Sequence, residues 1–236
     1  MTRAFPLFIL FLPALLGRAA AAQAAADSVV YGIHPASRLV VKTGKAGLFG
    51  FAGHTHVIRA REVSGRLVYH PGESRSRLRL EVPTKSLEVL TPPDTAEIRK
   101  VTEAMREDVL HVDRFPTMSF AADSLNARSG RMDLQLAVTL EGVTRLVPVT
   151  ADVTVGTDSV RATGSFTVKQ TDFGIQPYSG GPAGTVKVAD RVTFCFDLLG
   201  VRGLDERQAV ATGDGTTVPG CVDKAKSRGD TARRVM

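Results

Sequence analysis

The sequence has no tryptophan and only three tyrosines among 236 residues. That scarcity argues against the aromatic platforms on which sugar rings stack. No arginine-rich run interleaved with aromatics points to nucleic acid. The formal net charge of +6 is modest. It allows weak attraction to anionic surfaces and defines no partner. Catalytic signatures are missing as well: there is no GxSxG, HExxH, P-loop or CxxC. Neither of the two cysteines has a histidine near it in sequence. The chain thus offers no catalytic residue and calls for no cofactor. Past the first residues, no apolar run approaches the roughly 20 residues that span a bilayer.

What is present starts at the N-terminus. MTRAFPLFILFLPALLGRAAAA, residues 1–22, has a basic start, an apolar run from Phe5 to Leu16, and Ala20-Ala21-Ala22 before Gln23. That is the order of a secretory signal peptide. The alternative is an uncleaved anchor, against which Gly17 and Arg18 close the run early. The expected mature protein is exported, periplasmic or secreted, with no transmembrane segment. Its remaining length suits one domain over residues 28–200. Residues 201–236 are rich in Gly, Thr, Asp, Lys and Arg without periodicity, and read as a flexible polar tail.

Most of the domain alternates with period two. Met132, Leu134, Leu136, Val138 and Leu140 are apolar, while Asp133, Gln135, Thr139 and Glu141 are polar. This is a strand with one dry face. Val147 to Val155, Leu78 to Val82 and Val192 to Leu198 repeat the pattern. Further strands are expected over 29–33, 38–43, 48–52, 63–70, 117–125 and 161–169. Gly142 and Gly156-Thr157-Asp158 carry the turn chemistry of hairpins. A hairpin-linked set of about ten strands must hide its edges, by closing into a barrel or folding into a two-sheet sandwich.

One segment changes period. Ile98, Val101, Met105 and Val109 fall at helical spacing after Pro92-Pro93-Asp94-Thr95, where Asp94 or Thr95 supplies an N-cap. This predicts an amphipathic helix of roughly four turns. It either lids a cavity or packs against the sheet. Cys195 lies in a strand and Cys221 in the tail. They either pair, pinning the tail to the barrel, or stay independent thiols.

The best site candidates are His54 and His56, in GFAGHTHV at residues 50–57. On an extended strand both imidazoles face one side. A metal would need a further ligand, with His34, His70, His111, Glu62 and Asp113 as the other donors considered. Otherwise the pair bonds backbone carbonyls at a strand end or lines a cavity mouth. His111-Val112-Asp113, followed by Arg114-Phe115-Pro116, reads as architecture. Asp172, before Phe173-Gly174, either caps a turn, orients an arginine or meets a ligand head group.

Four motifs in order carry a resemblance. They are SGRLVYHP at 64–71, RFPTMSF at 114–120, LEGVTRLVPV at 140–149 and GSFTVKQTDFGI at 164–175. Together they resemble the YceI-like family of exported lipocalin-like barrels, from about residue 30 to 199. The resemblance implies an all-β fold: an extended eight-stranded antiparallel barrel with one amphipathic helix packed against it. It implies a carrier or reservoir for a long apolar molecule, namely a polyisoprenoid, an isoprenoid quinone or a fatty-acid derivative. The expected bound lipid would touch His54, His56, Phe49, Phe51, Leu136, Val138, Val149, Phe166, Asp172, Phe173, Phe194 and Phe196. Where the family pattern carries one histidine, this chain has two with extra residues before Gly65, which implies an altered head-group preference. Two other readings stay open: a metal-binding protein or metal-dependent enzyme built on His54 and His56, and a non-catalytic interaction module. A homodimer is also left open.

Overall fold

The computed structural model describes residues 28–46, 55–90, 95–180, 186–205, 210–211 and 218. The expected leader at 1–22 and the strand expected at 48–52 lie outside the described residues. In chain order the strands are β1 (Val29–Ile33), β2 (Arg38–Ala46), β3 (Val57–Ala60), β4 (Glu62–Tyr69), β5 (Ser76–Pro83) and β6 (Leu87–Val89). Helix α1 (Thr95–Ala104) follows and continues as a π-helical turn over Met105–Val109. Then come β7 (Thr117–Leu125), β8 (Gly130–Leu140), β9 (Val143–Val155) and β10 (Ser159–Lys169). A 3₁₀ turn at Gln170–Phe173 leads to β11 (Ser179–Gly180), β12 (Val186–Arg202) and β13 (Val210–Ala211).

Eight strands close a ring, in the order β1-β4-β5-β7-β8-β9-β10-β12 and back to β1, all pairs antiparallel. The choice between sandwich and barrel is settled by β12, whose length is 17 residues. Its C-terminal part pairs with β1, while its N-terminal part pairs with β2. The sheet therefore closes at one end and extends at the other through β2, β3 and β6. The interior is the face that the alternation predicted. Leu136, Val138 and Leu140 on β8 are buried, as are Val147, Val149, Ala151 and Val153 on β9 and Phe166 and Val168 on β10. Between β8 and β9 the chain reverses over Glu141 and Gly142, with φ of 46° and 75°. Two positive φ angles make a tight hairpin turn whose twist matches its strands.

β6 is the free edge of the extension, and α1 covers it. The Val89 amide donates to Thr102 Oγ1 at 3.3 Å, and Arg106 donates Nη2 and Nε to the Leu87 carbonyl at 2.8 and 3.2 Å. An edge that would otherwise template further pairing is thus satisfied by a helix.

The C-terminal segment departs from a flexible polar tail starting at residue 201. β12 runs to Arg202, Val210 and Ala211 pair with Val63 and Glu62 of β4, and Val218 is 2 % exposed against Val40 and Cys195. Val40 and Cys195 are apolar side chains outside the main barrel core, and burying them against Val218 is favourable. Cys195 is disulfide-bonded. The chain's other cysteine, Cys221, lies outside the described residues. Asp197, also buried, accepts from Arg161 Nε and Nη2 at 2.7 and 2.6 Å. Among the described residues, no helix is long and apolar enough to cross a membrane.

Candidate functional site

The barrel interior contains two chambers. The upper one is about 310 Å³, at the end where β2, β3 and β6 extend beyond the closed ring. One face of the helical segment builds its roof: Glu97, Lys100, Val101, Ala104, Met105 and Val109 all line it. Those positions recur at three- and four-residue intervals, so they share one side of the helix. The π-helical turn begins at Met105, whose carbonyl accepts from the Leu110 amide at 2.9 Å. Ile98 falls outside this lining and borders a surface groove instead. The helix is thus both packed on β6 and part of a cavity wall.

The walls of the upper chamber come from Thr43, His56, Ile58, Val89, Gln170, Tyr178 and Val188. Thr43 and His56 are locked together: the Thr43 amide donates to the His56 carbonyl at 2.9 Å, and the His56 amide donates to Thr43 Oγ1 at 3.1 Å. Gln170 is held by donating Nε2 to the Ala189 carbonyl at 2.9 Å. Its turn is fastened by Asp190, which accepts from the Thr171 amide at 2.9 Å and from Thr171 Oγ1 at 2.8 Å. The Thr171 amide bond is the main reason that the Asp190 carboxyl sits below its ordinary range. Lys100 is exposed and Glu97 half-buried, so the charged part of the lining lies toward solvent. The site supplies hydrogen-bonding groups around an apolar body.

The lower chamber is about 110 Å³, and every side chain lining it is apolar. Leu136, Val149, Phe166 and Phe196 are among them, with Leu39, Val63, Leu80 and Phe120. Gly164 makes room for Phe196. A methyl group there would stand 2.7 Å from Phe196 Cζ and 2.7 Å from the Thr150 carbonyl oxygen. Phenylalanines occupy the middle of the barrel. Phe166 and Phe194 stack with centroids 5.0 Å apart and planes 4° apart, and Phe120 meets Phe194 edge-on at 5.8 Å.

The expected contact residues divide accordingly. His56 lines the upper chamber. Leu136, Val149, Phe166 and Phe196 line the lower one. Phe49, Phe51 and His54 lie outside the described residues. Four of the expected contact residues lie outside both chambers. Val138 and Phe194 are buried in the core and line neither chamber. Phe173 is likewise fully packed at 1 % exposure, as the anchor of its turn. Asp172 is exposed, outside both chambers, and its backbone carbonyl accepts from Arg145 Nε at 2.9 Å. The strand feeding that turn aims Gln170 inward instead, and period-two counting from Phe166 and Val168 would have found it. Tyr178 gave no such signal, because no regular element contains it.

Two other histidines are engaged elsewhere. His111 Nδ1 lies 2.7 Å from Glu141 Oε1, and His34 Nδ1 accepts from the Ala36 amide at 3.1 Å. Asp113 pairs with Lys85 at 2.7 Å, which holds its carboxyl below the usual carboxylate range. Among the described residues, no three His, Cys, Asp or Glu side chains gather to hold a metal ion.

Comparison with known proteins agrees with this architecture. The YceI-like domain family matches residues 31–199. The crystal structure of BcnA from Burkholderia cenocepacia is similar, with a TM-score of 0.53 and 14% identity over 69% of this chain and 95% of that one. A polyisoprenoid binding domain from Saccharophagus degradans, implicated in plant cell wall breakdown, also scores 0.53 at 14% identity, over 74% of this chain and 99% of that one. At such identity the likeness is one of fold. No curated protein matches in sequence.

Proposed function

This chain belongs to the YceI-like domain family, and from that premise we propose that it is an exported carrier or reservoir for an apolar, chain-bearing molecule held inside the barrel. One observation carries the reading: a largely apolar chamber that also offers hydrogen-bonding side chains, with exposed Lys100 and half-buried Glu97 toward solvent. Val101, Met105, Val109, Ile58 and Val89 would receive a hydrocarbon chain. His56, Glu97, Lys100, Gln170 and Tyr178 would receive a polar head. Each buried methylene contributes about 0.8 kcal/mol, so such a ligand binds without catalytic help. The candidate classes are polyisoprenoids, isoprenoid quinones and fatty-acid derivatives. The polyisoprenoid binding of the similar Saccharophagus degradans domain favours the first two. Export rests on the signal-like residues 1–22.

Native mass spectrometry of the protein purified from its own host tests the reading. The expected result is a population heavier by one lipid, which organic extraction releases. A protein that carries no lipid and takes up no quinone, prenol or fatty acid would overturn it.

A further inference from the structure

The two chambers share no lining residue and are divided. On each strand that reaches both, a buried side chain stands between the two linings. On β2, Val41 separates Thr43 above from Leu39 below. On β10, Val168 separates Gln170 from Phe166. On β12, Val192 and Phe194 separate Val188 from Phe196, with Val192 opposite Thr43 and Val168, and Phe194 one layer below it. The register sets Phe194 directly opposite both Val41 and Phe166, so the three form one layer across neighbouring strands. Phe194 is the largest of the dividing side chains and is only 3 % exposed. It lies flat on Phe166 and against the face or edge of Phe120, two rings that line the lower chamber.

Volume gives the partition a consequence. Small-molecule pockets run from about 300 to 1,000 Å³. The upper chamber, at about 310 Å³, sits at the bottom of that range. The lower chamber is about 110 Å³, and an apolar cavity of about 150 Å³ takes only a benzene-sized molecule. A chain that enters beside Lys100 therefore meets an aromatic layer before it has used the length of the barrel.

We propose that Phe194, stacked on Phe166 one layer below the Thr43 lining, is the floor that divides the upper chamber from the lower one and sets the length of the hydrocarbon chain that the protein accepts. This rests on the carrier reading above and narrows it to chains of limited length. Removing the ring joins the two chambers, because what lies beneath it is already apolar and hollow. The aromatic packing holds the floor closed, since stacked and edge-on rings add to ordinary burial.

The test titrates the full chain, freed of lipid, with saturated fatty acids from octanoic to octadecanoic acid. Geraniol, farnesol and geranylgeraniol form a second series. For wild type the affinity should climb about fourfold per methylene and then level off once the chain reaches the floor. In Phe194→Ala the levelling point should move to longer chains. Phe194→Leu, which keeps the core filled and guards against misfolding, should move it less but in the same direction. Adding Ala162→Leu, which occupies the lower chamber, should cancel the gain of Phe194→Ala. An unbroken climb in wild type overturns the floor, as does a levelling point that neither Phe194 variant moves. Failure of every probe to bind wild type overturns the carrier reading, and the floor falls with it.

Discussion

At Gly164 the missing side chain is what lets Phe196 lie inside the barrel. A Cβ there would meet the ring and the Thr150 carbonyl at 2.7 Å, closer than such contacts allow. Gly164→Ala should destabilise the protein by about 1–3 kcal/mol, the usual cost of overpacking. Denaturant unfolding measures this, and an unchanged midpoint would mean that Phe196 moves freely. Asp190 is the second position where one residue governs its surroundings. Its carboxyl titrates below the ordinary carboxylate range because it accepts from Thr171. A depressed folded-state pKa stabilises the protein above the unfolded value and loses that effect as pH falls through the folded one. The stability gap between wild type and Asp190→Ala should therefore hold steady from neutral pH down to about pH 4, and close below it. A gap that widens on acidification would show that the Thr171 bonds do not favour the ionised form.

At the scale of elements, the helix and β6 depend on each other. β6 is a short edge strand of three residues, with partners β3 on one side and α1 on the other. Arg106 supplies two of the hydrogen bonds that fasten the helix, both to the Leu87 carbonyl. Arg106→Ala should cost about 1–2 kcal/mol, since hydrogen bonds from charged groups exceed neutral ones. The loss should be local. Hydrogen exchange should quicken over residues 95–109 and 87–89, while β8 and β9 keep their protection. Affinity for a bound chain should fall as well, because the same helix carries Val101, Met105 and Val109 into the chamber. Equal loss of protection throughout the barrel would mean that the helix is part of one cooperative unit.

For the whole molecule, the barrel closes with strands drawn from both ends of the domain, and β1 meets β12 across 170 or so residues of chain. Contacts beyond Gly200 then add to the closed barrel, through Val210, Ala211 and Val218. The Cys195 disulfide belongs to this same outer layer. Its reduction should lower stability by about 2–4 kcal/mol, read as a shift of the unfolding midpoint with and without reductant. No shift would mean that packing alone secures the segment around Val218.

Alternation fixed in advance which face of each long strand is dry, because successive side chains on an extended backbone must point oppositely. Thus Leu136, Val138 and Leu140 are inside, as their spacing required. Helical spacing likewise selected Val101, Met105 and Val109, and the turn at Glu141–Gly142 was marked by its glycine. The short strands β3 and β6 were not legible, since three or four residues carry too little periodicity. Nor could period separate a chamber wall from a filled core. Phe166 and Phe194 have the same chemistry and the same inward face, yet one borders a cavity and the other divides two. Gln170 lines the chamber and Asp172, two residues on, does not, because a turn ends the alternation between them. The sequence by itself determined the wet and dry faces and the barrel they imply, since those follow from local backbone geometry. The tertiary structure alone decided where the interior is empty, because a cavity is what side chains from distant strands leave unfilled when they meet.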